Sequence, residues 1–206
     1  MVFGLYAGFI FAGGGELESE CSGSACTYTR VADDYDEESE FALGADLLGH
    51  VSPQFRLGGG LLFLPSAKVK VDGASRDAKF GSELSAVIIG EGVFDVAPTT
   101  ALTLRGMGGP LFLFPGKDLE DAIDSVKARC PSCDVSDGPF VGYTFGVGGG
   151  GLFSVGNVGL RAGLLFQYYG VRTLRVEGDT GTGTGTAEET LSSAGTRFML
   201  TAGVEF

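Results

Sequence analysis

The chain closes on GTRFMLTAGVEF, Gly195 to Phe206, and the reading of this stretch decides the fold. From Phe198 onward every second residue is apolar (Phe198, Leu200, Ala202, Val204, Phe206), with Met199, Thr201, Gly203 and Glu205 between them. A period of two is that of a β-strand, whose successive side chains point to opposite faces. Chain ends usually fray and turn polar. An apolar ridge that runs to Phe206 needs a cover, either the second layer of a sandwich or lipid.

The same alternation recurs upstream. Phe3, Leu5, Ala7, Phe9 and Phe11 form one ridge. Phe41, Leu43, Ala45 and Leu47 form a second, opposite Ala42, Gly44, Asp46 and Leu48, and Phe55, Leu57, Gly59, Leu61 and Phe63 a third. Leu84, Ala86 and Ile88 oppose Glu83, Ser85, Val87 and Glu91, and Leu102, Leu104 and Phe112 oppose Thr103, Arg105 and Met107. In the glycine-rich VGYTFGVGGGG the faces are ambiguous, with Val141, Tyr143, Phe145 and Val147 as the natural apolar set. Val158, Leu160, Ala162, Leu164, Phe166 and Tyr168 oppose Arg161, Gly163, Leu165, Gln167 and Tyr169. With the closing segment this makes eight strands, joined by short connections near 50–54, 95–100 and 154–157 and by long polar ones at about 13–40, 65–80, 115–139 and 172–192. Short turns at one rim and long loops at the other are the rhythm of an antiparallel up-and-down transmembrane β-barrel. An even strand number puts both termini on the short-turn side.

Composition agrees. Glycine occupies 36 of 206 positions, Trp is absent, and a mean hydropathy of +0.22 coexists with a net charge of -12. Such values coexist only if apolar and charged residues are segregated: nine acids and one base, Arg30, lie between Gly13 and Glu40. No apolar run reaches the ~18 residues of a spanning helix, and so acidic a chain is expected to have no nucleic-acid partner. Residues 1–206 read as one domain. Met1–Gly15 lacks a basic leader and a small-residue cleavage site, and reads as the first strand of a mature chain.

A soluble barrel also alternates, but it turns its apolar residues inward. Here the opposite face carries Asp46, Arg56, Glu83, Glu91, Arg105, Arg161, Gln167 and Arg197 among glycines. Ions of both signs facing one another inside a closed barrel pair, whereas unpaired buried ions are prohibitive. Apolar outside and ion-paired inside fits lipid around a packed polar lumen. The pattern resembles the eight-stranded outer-membrane barrels of the OmpA transmembrane-domain and OmpX type, over the whole chain as architecture and over Phe198, Leu200, Ala202, Val204 and Phe206 as a motif. The resemblance implies the outer membrane of a Gram-negative bacterium with periplasmic termini. It also implies a terminal strand read by the barrel-assembly machinery, and outer-membrane lipid and lipopolysaccharide as neighbours. An extracellular ligand of the loops would give a structural or adhesin-like role.

The lumen of an eight-stranded barrel is just wide enough for side chains to fill it. Asp46, Arg56, Glu83, Glu91, Arg105, Arg161 and Arg197 are expected to form a structural ion-pair network; inward Gly44, Gly58, Gly60, Gly81 and Gly163 keep a narrow channel for ions or small solutes as the alternative. His50 is the sole histidine and sits in a short turn without a serine and carboxylate to complete a triad, so no enzyme, cofactor or metal is expected. Cys21, Cys26, Cys130 and Cys133 fall as two close pairs, for which local disulfides are the simplest connectivity, with a redox role for CPSC or a zinc site as alternatives. The acidic run DDYDEESE lacks the glycine and spacing of a calcium loop and reads as solvated. In GKDLEDAIDSVKARC, Asp118 is placed to N-cap a short helix whose Leu119, Ile123 and Val126 recur at helical spacing. GDTGTGTGTAEET reads as a flexible low-complexity linker.

Overall fold

The computed structural model describes residues 1–23, 30–71, 78–179 and 186–206. In chain order the elements are β1 (Val2–Gly23), β2 (Arg30–Glu37), β3 (Glu40–Ser52), β4 (Phe55–Val71), β5 (Ala78–Ala97), β6 (Thr100–Pro115), α1 (Lys117–Arg129), β7 (Asp134–Val135), β8 (Phe140–Val155), β9 (Val158–Asp179) and β10 (Thr186–Glu205). β2 and β3 form one stave interrupted at Glu38 and Ser39, and β7 is a two-residue strand on β9. The eight staves are antiparallel throughout, and β10 pairs β1 to close the ring. Phe206 N donates to Phe3 O (2.9 Å) and Phe3 N to Phe206 O (3.2 Å), so the two ends meet at one rim. The short turns share that rim, and two of them are tied to the next stave by Val93 N to Gln54 O and Ser154 N to Thr99 O, both 2.9 Å. In the turn between β8 and β9, Gly156 at φ 64° supplies the left-handed step that a tight hairpin needs.

Every stave presents apolar side chains outward: Phe3, Leu43, Leu57, Ile88, Leu104, Phe145, Leu164 and Leu200 are all exposed, Ile88 to 70 %. In water such a belt would be a severe aggregation liability; against lipid it is the stable face of a transmembrane barrel. On the loop side the belt ends in ring pairs, Phe9–Phe41 (5.2 Å), Phe166–Phe198 (5.1 Å) and Tyr143–Tyr168 (6.0 Å), the girdle expected at a membrane boundary. The glycine-rich β8 resolves as expected, with Val141, Tyr143, Phe145 and Val147 outward. Among the described residues no helix is long and apolar enough to cross a membrane.

Three details depart from the sequence reading. The ladders overrun the loop limits at 13, 40, 172 and 192: β1 stays paired with β10 to Gly23 and with β2 to Glu20, and β9 with β10 to Asp179. Loss of apolar alternation marks where lipid ends, not where hydrogen bonding ends. Past that point, pairs such as Arg30–Glu18 and Arg175–Glu188 link neighbouring strands. A β-bulge between Ile10 and Ala12 inserts Phe11 as an extra outward residue and reverses the parity of β1. Gly13 and Gly15 thereby turn inward, opposite Arg197 and Tyr35. Finally, Gly116, not Asp118, is the N-cap of α1 and makes no side-chain capping bond. Asp118 instead lies in the first helical turn and accepts the backbone N–H of Lys79 at 2.8 Å, pinning the helix to β5.

Candidate functional site in the lumen

Inward side chains stack in layers, because the antiparallel register sets the ionic residues of several staves at matching heights, with apolar residues above them. Nearest the turns, Val93, Ala101 and Leu152 form a small apolar cluster. Above it lies an ionic layer of three arginines and three carboxylates. Arg105 Nη2 donates to Asp46 Oδ2 (2.6 Å) and Glu91 Oε2 (3.0 Å). Arg161 Nη2 donates to Glu205 Oε2 (2.8 Å) and Glu91 Oε1 (3.0 Å), and Arg56 Nη1 reaches Glu205 (3.1 Å) and Glu91 (3.3 Å). The charges balance, which is what allows Glu91 to be only 1 % exposed.

The next layer is apolar: Ile10, Ala42, Leu62, Leu64, Val87, Ile89, Met107, Leu165 and Met199 are all buried. Beyond it, Arg197 lies 2 % exposed between two carboxylates, its Nη1 and Nη2 on Glu83 (2.6 and 2.7 Å) and its Nε on Glu37 (2.7 Å). Its guanidinium carbon stacks 3.9 Å from the Tyr169 ring centroid. Tyr169 Oη donates to Glu37 (2.6 Å) and meets Tyr35 Oη (2.6 Å), which in turn meets Ser193 Oγ (2.9 Å). Gly15 and Gly195 make room for this pair: a Cβ at Gly195 would lie 2.8 Å from Tyr169 Oη and 2.9 Å from Tyr35 Oη.

The loop-side mouth is closed by a second apolar cluster, in which Leu119 and Ile123 of α1 and Val135 of β7 pack on Leu111, Leu113, Phe140, Tyr169 and Val171. Cys130 and Cys133 are disulfide-bonded just after α1, with Cα atoms 5.3 Å apart. Lys127 Nζ donates to Asp137 at 2.9 Å; this hydrogen bond and the ammonium charge hold the exposed Asp137 carboxyl below its ordinary value.

The structure thus brings Asp46, Arg56, Glu91, Arg105 and Arg161 into one layer and Glu83 and Arg197 into another. Glu205 and Glu37 were not expected in either. Glu205 was legible, since it alternates with the outward Val204 and Phe206. Glu37 was hidden in the run DDYDEESE, which is not a solvated loop: residues 33–37 lie in β2, with Tyr35 buried and Glu37 turned into the lumen. Gly44 leaves no hole, because the Tyr6 ring occupies the space a Cβ would take. His50 is exposed near the turn rim, in register with Arg56. Among the described residues no cluster of three or more His, Cys, Asp or Glu is arranged to hold a metal ion. The expected partner of Cys21, Cys26, lies outside the described residues, as do residues 180–185 of GDTGTGTGTAEET; the rest of that stretch is not a flexible linker but pairs across β9 and β10.

No protein-family model matches the chain, and no curated protein matches it by sequence. Its fold resembles the crystal structure of the outer membrane protein OprG from Pseudomonas aeruginosa, with a TM-score of 0.56 at 14 % identity over 100 % of this chain and 95 % of that one. Neisserial surface protein A (TM-score 0.38, 14 % identity, 95 % of each chain) is a more distant likeness. So is the outer membrane protease OmpT from Escherichia coli (TM-score 0.39, 8 % identity, 100 % of this chain and 96 % of that one). The fold assignment rests on the OprG superposition. Together with the apolar exterior and the filled lumen, it gives this chain the fold of the small outer-membrane β-barrels.

Proposed function

We propose that the chain is an outer-membrane protein of a Gram-negative bacterium that closes its own lumen and acts through its loop side, as a structural and surface-interaction protein of adhesin-like type. The observation that carries this reading is the filling of the lumen: two ionic layers separated by an apolar one, under a mouth capped by α1. A barrel so filled has no through-path, so its chemistry lies outside. Outside, the loop end presents Glu16, Glu20, Asp33, Asp34 and Asp36 on the extended ladders and Asp118, Glu120, Asp121 and Asp124 on α1, all exposed. That is a surface suited to a cationic partner.

In this reading both termini are periplasmic, outer-membrane lipid and lipopolysaccharide surround the belt, and the assembly machinery reads Phe198, Leu200, Ala202, Val204 and Phe206. The protein performs no reaction of its own. A narrow channel is the second reading, favoured by a cavity of about 40 Å³ against the glycine wall Gly148–Gly150 and Gly163. Surface labelling on intact cells tests the orientation: a thiol reagent that cannot cross the membrane should modify Ala122→Cys on α1 and spare Gln54→Cys in a short turn until the cells are lysed. Labelling of Gln54→Cys on intact cells would reverse the topology and remove the loop side from the outside.

A further inference from the structure

The cavity of about 40 Å³ lies at the boundary between the turn-side ionic layer and the apolar layer, lined by Tyr6, Thr103, Arg105, Arg161, Thr201 and the Gly148–Gly150 backbone. Tyr6 is 9 % exposed, and its hydroxyl has no hydrogen-bond partner among the described residues. Asp46 Oδ1 and Arg56 Nε, in the adjoining ionic layer, are likewise buried and unpaired. A buried hydroxyl left without a partner is costly, and such a group beside a void that arginine and threonine side chains also reach is completed by water, although Ala162 and Leu165 line part of its wall. A void of this size accepts roughly three or four waters, at about 10–15 Å³ of probe-occupied volume each. Thr103, Thr201, the arginines and Tyr6 supply the several partners that a buried water requires.

Directly above, on the loop side, the inward residues offer no polar atom: Ile10, Met107, Leu165 and Met199 close the section. Polar groups resume at Glu83, Ser85, Thr144, Gln167 and Arg197, where Gln167 Oε1 is again unpaired and a cavity of about 10 Å³ is at the limit for one water. We infer that the turn-side half of the lumen is a hydrated chamber whose internal water completes Tyr6, and that the apolar septum above it, not the salt bridges, is the seal of the barrel. Ionic side chains tolerate water between them. An apolar constriction excludes water and the ions that travel with it. The two methionines are the unbranched, adaptable members of that septum, and shortening them would join the chamber to the polar layer beyond.

This inference rests on the closed-lumen reading, and two measurements test it. Tyr6→Phe removes the unpaired hydroxyl. With water in the chamber the variant unfolds at lower denaturant than the parent, because the water loses a partner. A rise in midpoint, or none, would show a dry cavity and overturn the hydrated chamber. For the septum, potassium flux is compared in proteoliposomes carrying Leu119→Ala/Ile123→Ala, which loosens the α1 cap and serves as the parent here, and the same chain with Met107→Ser/Met199→Ser or with Glu91→Gln, each accepted only with the gel mobility of a folded barrel. If the double variant does not fold, Met199→Ala replaces it. The septum variant is expected to raise flux at least tenfold over the parent, with Glu91→Gln at the parent level. No rise in the septum variant, or an equal rise in Glu91→Gln, would overturn the assignment of the seal. Flux through the parent itself would overturn the closed-lumen reading and the septum with it.

Discussion

Arg197→Ala is the most informative single substitution. Arg197 neutralises Glu83 and Glu37 at once, with four charge-assisted hydrogen bonds of 2.6 to 2.8 Å, and it stacks on Tyr169. The two carboxylates are themselves only 7 % and 5 % exposed at the side chain. Removing the guanidinium leaves two like charges facing each other in a buried layer, and breaking such a group costs about 3–5 kcal/mol. The measured loss should fall in that range, because no other arginine or lysine contacts either carboxylate among the ion pairs of the described residues. The chain has no Trp, so unfolding is best followed in urea by circular dichroism and by the gel shift between folded and unfolded barrel. Removing the stranded charges as well, in Arg197→Met/Glu37→Gln/Glu83→Gln, should recover more than half of the loss, since replacing a whole buried ionic group by neutral residues is often near neutral. A loss below about 1 kcal/mol for Arg197→Ala would mean that Glu37 and Glu83 are solvated, and the loop-side layer would not be part of a sealed lumen.

Other consequences are equally direct. Ile88→Arg places a charge on the lipid face near the middle of β5 and should destabilise the barrel by about 2–4 kcal/mol in bilayers, read from the urea midpoint; a neutral effect would deny that this face meets lipid. Ile123→Asp buries a charge under α1, so limited proteolysis should cut within 116–133 in the variant while the barrel keeps its folded gel mobility. Loss of the folded band would instead make the cap part of the barrel's own stability. Asp137 should titrate below the usual carboxylate range by NMR and return to it in Lys127→Ala. Because its folded value is lowered, its contribution is present above the unfolded value and is lost as pH falls through the folded one.

The fold was legible because lipid on one side and a narrow lumen on the other impose a strict two-residue period, and Phe198 to Phe206 state that period without interruption. Seven lumen ions could be turned inward from parity alone, since a charged residue flanked by outward apolar ones must face in. Parity does not report depth, however, and Glu83 and Arg197 form a layer apart from the other five instead of one network. Glu37 could not be turned inward in this way: in the acidic stretch both faces carry charge, and its direction depends on the β2 ladder with β1, which shares its parity with the bulge at Phe11. The same loss of contrast hid the length of the loop-side ladders, where Glu18, Arg30, Arg175 and Glu188 pair in water and no hydropathy step marks the end of a strand. Asp118 had the right type and position for a cap, but Lys79 offered its N–H in three dimensions, and no pattern within the helix reports a donor from a distant strand.

The account's central claim is a lumen closed along its length. Single-channel recording of the unsubstituted protein in planar bilayers tests it most directly. The predicted trace is silent, with no resolved steps above the bilayer leak across the usual voltage range. Reproducible steps of constant size, abolished when the protein is omitted, would contradict it.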